Sequence, residues 1–421
     1  MPVNDTSTLL PRDFNPLSPE TVENPYAFYC AMREHAPVYQ APGAGFFIVS
    51  RYEDAMFVLD HEELFSSRSP DGPGVGRTPE TAEIQRIMAE GYPAENTLLT
   101  NDPPQHTRFR ALVNKAFTPR RVATLEPSTR AIANELVDSF IGDGRVELVS
   151  QFAVGLPLTV IAEALGVGRA DMAMFKRWSD DSVAPLGGMI GYERQLECAR
   201  SVVEFQHYFA ERLEQRRREP RDDLLTDLVN ARLPGSESLT TPEMLSILQQ
   251  LLVAGNETTT NLIASAMMLL LQNPEQFALV AADQSLIPNM IEEALRAEAP
   301  VQGLFRTATA DTELSGVKIP AGARLVVMYS SANRDEREFP EAARFDVLRT
   351  NARTHLAFGH GIHFCLGAAL ARLEGRIAFE TLLGRLRNLR FAGSRNDFTH
   401  TPSFILRGLK ELHLEFEPVR S

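Results

Sequence analysis

The stretch that decides the fold is Phe358-Gly-His-Gly-Ile-His-Phe-Cys-Leu-Gly367, which runs directly into Ala-Ala-Leu-Ala-Arg-Leu-Glu374. Three glycines fall within its ten residues, so the backbone can turn tightly there and approach a flat ligand closely. The residues that follow are good helix formers. The pattern therefore predicts that Cys365 lies at the N-terminus of a helix, where free N–H groups and the helix dipole favour a negative charge.

This position predicts a thiolate that binds a metal. A cysteine at a helix N-terminus is expected to have a lowered pKa, and a thiolate on haem iron supplies electron density that favours cleavage of the O–O bond. The loop alone leaves two alternatives open. One is a buried, inert cysteine, and the other is a zinc site formed by His360, His363 and Cys365, for which no fourth ligand is evident. A dinucleotide-binding loop is excluded, because Phe364 stands where that motif needs its third glycine.

An acid and a hydroxyl group stand side by side in the most apolar stretch of the chain. That stretch, Leu245–Leu271, is interrupted by polar residues, which predicts a buried core helix rather than a membrane span of about 20 apolar residues. Ala254 and Thr258 share one helix face, with Glu257 beside them. Gly255 and the threonines weaken the helix locally, and a hydroxyl beside a carboxylate is suited to proton delivery. The alternative is a buried helix whose threonine bonds internally.

These two segments resemble motifs of the cytochrome P450 family. Residues 358–367 follow the family's haem-ligand loop, Phe-x-x-Gly-x-His-x-Cys-x-Gly, without a gap, and residues 251–260 are similar to its oxygen-binding helix. The resemblance implies that Cys365 binds the iron of haem b (iron protoporphyrin IX) and that Glu257 and Thr258 relay protons to bound dioxygen. It also implies haem contacts for three further residues: Ala254, Phe358 and Gly367.

A charged pair upstream matches a structural motif of the same family. Glu293 and Arg296 lie three residues apart on one predicted helix face, a spacing that forms an ion pair and would otherwise indicate only a surface pair. They resemble the family's Glu-x-x-Arg helix, and Arg344 matches its third arginine. The resemblance implies that these three residues lock the region behind the cysteine loop.

Basic residues in three places match the family's contacts with the haem propionates. Asp102 and the two prolines after it predict a capped helix start, and His106 and Arg110 then share a face of that helix. The resemblance implies that these two residues hold a propionate, as do Arg306 and His363, and guanidinium groups are well suited to carboxylates. Taken singly, each residue would be assigned to the surface.

The substrate pocket follows from the resemblance alone. It is expected to include the 66–98 segment, a long Gly- and Pro-rich loop with a short helix inside it. Its lining is mostly apolar, which predicts a hydrophobic small molecule such as a fatty acid, terpenoid, steroid or polyketide. Gln250 and Gln302 would each place one hydrogen bond or face solvent. The expected substrate contacts are Gln250, Val253, Val301, Gln302, Leu304, Phe404 and Ile405.

Composition excludes several classes of protein. The net charge of −13 argues against a nucleic-acid binder, which needs a basic face. Three cysteines in 421 residues make a disulfide framework improbable and fit a reducing cytoplasm. The N-terminus lacks the basic and apolar regions of a signal peptide. We therefore expect a cytoplasmic protein without a membrane span.

Hydrophobic periodicity predicts a mainly α fold with a small β region. The resemblance implies the cytochrome P450 fold, a triangular helical prism, as a single domain over residues 1–421 with an extended segment at 1–24. The haem would lie between the helix that carries Thr258 and the helix that begins at Cys365. Long helices are predicted at Tyr192–Arg218, Pro242–Gln272 and Ile287–Ala297, and strands at Phe46–Val49, Glu313–Ile319 and Arg324–Val327.

The activity that the resemblance implies is that of a haem-thiolate monooxygenase, which inserts one oxygen atom of O2 into its substrate by hydroxylation or epoxidation. The chain shows no flavin or iron–sulfur pattern, so electrons are expected from a ferredoxin and an NAD(P)H-dependent ferredoxin reductase. A peroxide-driven peroxygenase is the first alternative, but peroxide brings its own protons and makes an acid–threonine pair unnecessary. A non-enzymatic haem-thiolate binder or sensor is the second, and no output domain supports it.

Overall fold

The computed structural model of the chain describes residues 15, 18–41, 45–69, 81–187, 190–233 and 237–419. Within these ranges the protein is mainly α-helical, as predicted. The helices are α1 (Pro19–Glu23), α2 (Tyr26–His35), α3 (Tyr52–Asp60), α4 (Ala82–Met88), α5 (Gln105–Val113), α6 (Pro119–Ala123), α7 (Glu126–Phe140), α8 (Gly155–Ala164), α9 (Met172–Val183), α10 (Tyr192–Arg218), α11 (Leu224–Asn230), α12 (Thr241–Gln272), α13 (Pro274–Ala282), α14 (Ile287–Ala297), α15 (Tyr329–Ala332) and α16 (Ala368–Arg385).

The strands form three small sheets. A five-stranded sheet has the order β1-β2-β8-β5-β3, a three-stranded sheet has the order β4-β10-β9, and β6 and β7 make a hairpin. The pairing of β2 with β8 is parallel, whereas the other pairs in the five-stranded sheet are antiparallel. The strands are β1 (Val38–Gln40), β2 (Phe46–Val49), β3 (Phe65–Ser66), β4 (Arg145–Glu147), β5 (Leu304–Ala308), β6 (Thr312–Leu314), β7 (Val317–Ile319), β8 (Arg324–Val327), β9 (Leu386–Phe391) and β10 (His413–Pro418).

Most predicted elements have the predicted bounds. The limits of α10, α14, β2 and β8 are those expected from the sequence. Helix α12 begins one residue before the predicted Pro242, because the Thr240 side chain and Glu243 form a reciprocal capping box at its start. The prediction of one strand over Glu313–Ile319 is wrong. The chain reverses at Ser315 and Gly316, both with positive φ, and gives the β6–β7 hairpin instead.

Two predicted irregular segments lie partly outside the described residues. Residues 1–14, 16 and 17 of the expected extended N-terminal segment are among those outside, and the expectation is wrong for Pro19–Glu23, which forms α1 behind a Ser18 cap. Residues 70–80 of the 66–98 loop also lie outside. The short helix expected within that loop is confirmed as α4, which the Thr81 side chain caps.

Helix α12 crosses the core and separates two apolar clusters. Its first half, up to Leu252, packs with α8, α9 and α10, and its second half, from Leu262, packs with α7, α14 and α16. The segment between them, 253–261, carries the predicted acid and threonine. No helix in the described part of the chain is both long and apolar enough to cross a membrane.

Candidate active site

The cysteine loop is held in place at both of its ends. Helix α16 begins at Ala368 with Gly367 as its N-cap, and the N–H of Cys365 donates to the carbonyl of Phe358 at 2.8 Å. At Gly361 φ is +64°, and a Cβ there would stand 2.7 Å from the carbonyl oxygen of Leu59 in α3. Only glycine permits that close approach. The predicted position of Cys365 at a helix N-terminus is confirmed.

The pKa predicted for this thiol is wrong in direction. Burial raises the pKa of the Cys365 thiol, while backbone N–H groups of Gly367 and Ala368 and the charges of Arg110 and Arg372 oppose the shift without reversing it. The loss of hydration destabilises the thiolate more than the N–H groups at the helix terminus stabilise it. The helix terminus therefore favours the thiolate but does not by itself create one.

A network of charged and polar side chains, formed by Glu292, His355 and Arg372, supports the cysteine loop. Arg372 stacks over the ring of Phe358, with Cζ 4.6 Å from its centroid, and its Nε donates to Glu292 Oε1 at 2.6 Å. His355 Nδ1 accepts from the N–H of Ala357, so its Nε2 carries the hydrogen that faces Glu292 Oε2 at 3.1 Å. Burial acts to raise the pKa of Glu292, but the hydrogen bonds from His355 and Arg372 outweigh it and lower the pKa to about 2.

Sequence reasoning missed Glu292 and His355, although a signal was present. Two adjacent glutamates precede Arg296 in a helix with a strong apolar face. A single arginine cannot satisfy two carboxylates that are both buried, so a second set of donors was required. The structure supplies it from His355 and from the helix that follows the cysteine.

The Glu-x-x-Arg pair is completely buried. Arg296 donates through Nε and Nη2 to the two carboxylate oxygens of Glu293, at 2.7 and 2.8 Å. Its Nη1 donates to the carbonyl groups of Asn333 and Ala342, which ties the irregular 332–361 segment to α14. Bidentate geometry with every donor used is the arrangement in which a buried ion pair is tolerated.

The third arginine of this cluster is Arg349, and the prediction for Arg344 is wrong. Arg349 donates to Glu293 at 3.1 Å and is 9% exposed. Arg344 lies on a turn in which its N–H donates to the carbonyl of Glu341, and this turn directs its side chain into solvent, where it pairs with Glu341. Only the carbonyl of Arg344 contributes, by accepting from Arg296 and Arg349.

The four basic residues predicted to bind propionates converge. The rings of His106 and His363 are 4.2 Å apart, and the charges of Arg110 and Arg306 act on both histidines. Burial lowers the pKa of His106, and burial together with Arg306 lowers that of His363 to about 3. Both ring nitrogens of His106 are buried without a hydrogen-bond partner among the described residues. Such a set of donors and positive charges fits a group that carries carboxylates.

Asp102 does not cap the helix as expected. Helix α5 begins at Gln105 without a side-chain cap. Asp102 instead accepts from the Ser66 hydroxyl at 2.5 Å and from the Ser67 N–H at 2.8 Å. The hydroxyl of Ser67 is in turn hydrogen-bonded with His363 Nε2 at 2.9 Å. Asp102 therefore ties the end of β3 to α5 and indirectly orients His363.

The α12 segment between the two apolar clusters has an open face. The hydroxyl of Thr258 donates to the carbonyl of Ala254 at 2.6 Å, which confirms that the two residues share a face. Ala254 is exposed and Thr258 is half-exposed, and the internal hydrogen bond that the alternative interpretation expects is present. A Cβ at Gly255 would meet only Ile161, at ordinary contact distance.

Glu257 lies on the neighbouring face in a different environment. Burial raises the pKa of its carboxyl and the nearby charge of Asp180 raises it further, while Lys176 and the Asn261 side chain oppose the shift. A carboxyl with a raised pKa holds a proton nearer to neutral pH, as a proton donor requires. Asn256, to which the sequence assigned no role, donates to the hydroxyl of Ser179 at 2.9 Å and joins α9 to α12.

The structure contradicts the substrate hydrogen bond predicted for Gln302. Its side-chain N–H groups donate to the carbonyl groups of Ser403 and Phe404, and its oxygen accepts from the Tyr29 hydroxyl. The amide is therefore used to fasten the 403–405 segment. The sequence could not show this, because the partners lie about 100 residues later and 270 residues earlier.

The other predicted substrate residues differ in exposure. Gln250 accepts a hydrogen bond from the N–H of Leu99 at 3.2 Å, which leaves its side-chain N–H groups available to a ligand. Phe404 and Ile405 are each 7% exposed and pack in an apolar cluster with Ile48 and Val326 of the five-stranded sheet. The remaining three, all half-exposed, are Val253, Val301 and Leu304.

Comparison with known proteins agrees with this geometry. A family model described as Cytochrome P450 matches residues 193–413. The 6-deoxyerythronolide B hydroxylase of Saccharopolyspora erythraea is 36% identical across 93% of this chain and 96% of its own. Cytochrome P450 monooxygenase PikC of Streptomyces venezuelae is 37% identical across 96% of this chain and 94% of its own.

A solved structure extends the similarity to the fold. Cytochrome P450 CYP109Q5 from Chondromyces apiculatus is 41% identical, with a TM-score of 0.87 over 98% of this chain and 100% of that one. The order of helices and sheets described above is therefore shared along almost the whole chain.

Proposed function

We propose, from the premise that this chain belongs to the cytochrome P450 family of haem-thiolate monooxygenases, that Cys365 is the thiolate that binds the haem iron. The supporting observation is its place just before α16, where N–H groups of Gly367 and Ala368 face the sulfur. Cys30 and Cys198 lie inside α2 and α10, where the backbone N–H groups are already bonded. When bound, iron protoporphyrin IX supplies the activation of dioxygen.

The same proposal assigns the four basic residues to the haem propionates. His106 and Arg110 project from α5, Arg306 from β5 and His363 from the cysteine loop. Two guanidinium groups supply charge, and the ring of His106, which has no hydrogen-bond partner within the described part of the chain, supplies a hydrogen-bond donor. Phe358 and Gly367 would flank the sulfur, and Ala254 would leave room beside the cofactor on the α12 side.

Glu257 and Thr258 are proposed to handle protons. One turnover converts substrate, O2, two electrons and two protons into hydroxylated or epoxidised product and water. The raised pKa of Glu257 suits a carboxyl that gives up a proton and takes another. The hydroxyl of Thr258 donates to Ala254, so its lone pairs remain free to accept a hydrogen bond and its oxygen can pass a proton onward.

We propose a hydrophobic small molecule as substrate. The half-exposed side chains at the expected pocket are apolar, and Gln250 retains an N–H group that can orient a ligand oxygen. The relative named for hydroxylation of 6-deoxyerythronolide B supports this size and polarity. A panel of hydrophobic compounds, screened for the spectral shift that follows loss of iron-bound water, identifies the class.

Members of the family draw electrons from redox partners, and we propose a ferredoxin and an NAD(P)H-dependent ferredoxin reductase for this chain. We also propose a cytoplasmic location, which the three unpaired cysteines support.

Turnover in ¹⁸O2 tests the proposed electron supply. We expect NADPH, a plant ferredoxin and its reductase to support product that carries one labelled oxygen atom. Product formed equally well from hydrogen peroxide alone would favour a peroxygenase and contradict the proposed proton role of Glu257 and Thr258.

A further inference from the structure

A small cavity adjoins Glu257, and neither Ala254 nor Thr258 is among its lining residues. It measures about 60 Å³ and lies between α12, the end of α9 and the 401–408 segment. Since one water molecule occupies about 30 Å³ of liquid, this volume suits roughly two waters. The polar residues of its lining are Glu257, Asn261, Thr401 and Ser403, and the others are Val183, Ala184, Pro402, Leu406 and Gly408.

Asn261 is the buried polar group of this cavity. It lies one turn after Glu257 on α12 and is 3% exposed. Its side chain acts to lower the pKa of Glu257, yet its Nδ2 makes no hydrogen bond of good geometry with any residue that the structure describes. An amide donor that reaches the Glu257 carboxyl only at poor hydrogen-bond geometry leaves a place for a water molecule that completes its hydrogen bonding.

The 401–408 segment is shaped around this amide. A Cβ at Gly408 would stand 2.0 Å from Asn261 Oδ1, so a side chain there would displace Asn261. The N–H of Thr401 donates to the carbonyl of Gly408 at 2.9 Å and closes the segment into a loop. The absence of a side chain at Gly408 therefore preserves the place of Asn261.

The cavity leads from the buried acid towards solvent. Asn261, Ser403 and Gly408 are buried, whereas Thr401 and Pro402 are exposed at the other end. The charged groups of α9 that act on Glu257, Lys176 and Asp180, pair with each other at 2.5 Å and do not line the cavity.

We propose that this cavity is the proton inlet of the enzyme, in which two waters held by Asn261 and the hydroxyl groups of the 401–408 segment connect Glu257 to solvent. The inference rests on the proposed role of Glu257. For each proton that Glu257 passes on, its carboxylate takes one from the adjacent water, and that water is reprotonated from bulk solvent. Asn261 is a positioning residue, because it orients the water and the carboxylate without contacting oxygen or substrate.

Removing the amide tests the inlet. The haem-loaded Asn261→Leu variant is supplied with NADPH, a plant ferredoxin and its reductase, and oxygen consumption is measured in H2O and in D2O. We expect the rate to fall by about tenfold, a modest share of what general acid–base catalysis contributes, and the solvent isotope effect to increase. Asn261→Ser, which supplies a hydroxyl group that can bind water and leaves more room for it, should keep most of the parent rate. Arg177→Met, which changes an α9 residue that pairs with Glu204 and does not line the cavity, should stay within about twofold of the parent.

The inference and its premise fail separately. If Glu257→Gln leaves oxygen consumption unchanged, the proposed role of Glu257 is wrong. If Glu257→Gln slows the reaction but Asn261→Leu leaves both its rate and its isotope effect unchanged, the inlet alone is overturned. Should Asn261→Leu not fold, Gly408→Ala displaces the same amide without altering α12 and is expected to give the same two changes. An unchanged CO-difference spectrum in each variant verifies that the haem site is intact.

Discussion

At the scale of single residues, the charge around the cysteine loop comes from arginines. Arg110 and Arg306 each bring a guanidinium group to this cluster, whereas burial lowers the pKa of both His106 and His363. The two histidines therefore act as neutral, directional hydrogen-bonding groups, and the guanidinium groups supply the attraction for an anion.

Arg110→Ala is expected to weaken haem retention. The variant loses one of two permanent positive charges in the cluster, while its hydrogen-bonding histidines remain. The ratio of haem absorbance to protein absorbance after gel filtration should fall several-fold. Arg108→Ala is the matched control, because Arg108 lies on the same helix but pairs with Glu243 of α12 at 2.8 Å. Full haem occupancy in Arg110→Ala would remove this residue from the propionate site.

Thr258→Ala is expected to uncouple the reaction. Without a hydroxyl beside Glu257, protons are misdelivered and reducing equivalents appear as hydrogen peroxide instead of product. Product per NADPH should fall on the order of tenfold or more, measured with the substrate identified by spectral shift. Thr258→Ser keeps the hydroxyl and should stay largely coupled. Tight coupling in Thr258→Ala would show that the threonine does not relay protons.

At the scale of elements, local rules explain what the sequence predicts well. The bounds of α10 and α14 follow from helical periodicity, and those of β2 and β8 follow from short, mostly apolar runs that are buried almost throughout. The predictions from sequence are wrong where a residue distant in the chain determines the hydrogen bonds of a side chain. Asp102 accepts hydrogen bonds from Ser66 and Ser67 and does not cap α5. Gln302 donates a hydrogen bond to the 403–405 segment. The residues adjacent to Asp102 and to Gln302 in the sequence do not indicate these partners.

The assignment of Arg349, and not Arg344, as the third arginine of the Glu293–Arg296 cluster can be tested by substitution. Arg349→Ala leaves a buried carboxylate with one of its donors missing, which should lower the free energy of unfolding by about 3 kcal/mol. Arg344→Ala removes a solvent-exposed pair and should cost less than about 1 kcal/mol. Urea denaturation of the haem-loaded variants measures both. Equal losses, or a larger loss for Arg344→Ala, would contradict the assignment.

Glu374 is a buried acid whose effect on stability depends on pH. Burial raises the pKa of this α16 carboxyl to about 8, and a hydrogen bond from Thr259 of α12 offsets only part of the shift. Below pH 4 both folded and unfolded chains keep the proton. As the pH rises towards 8, only the folded protein still holds it, so stability falls across that window, by up to the order of 4 kcal/mol.

Glu374→Gln is therefore expected to be less sensitive to alkaline pH. Urea midpoints at about pH 5 and about pH 8 should differ less in this variant than in the parent. Glu380→Gln is the control on the same helix, because Glu380 forms ion pairs with Arg130 and Arg376. If Glu374→Gln and the parent lose equal stability between the two pH values, Glu374 does not hold a proton in the folded protein.

At the scale of the whole molecule, the candidate site is assembled from segments far apart in the chain. His106, Thr258, Arg306 and Cys365 come from α5, α12, β5 and the loop before α16. No local spacing brings these four together, and in the sequence only the resemblance to a known family connects them. The charge network of Glu292 and the cavity at Asn261 lie outside the family motifs that the sequence displays, because both are formed by residues that only the fold brings together.

The identity of the axial ligand tests the central claim most directly. Purified Cys365→His, reconstituted with haemin, is reduced and exposed to carbon monoxide, and its absorption spectrum is compared with that of the parent protein. We expect the parent to show the strongly red-shifted band of a thiolate-bound haem, and we expect the variant to lose that band while still binding haem. A variant that keeps the red-shifted band would show that the iron is held by another residue and would contradict the assignment of Cys365.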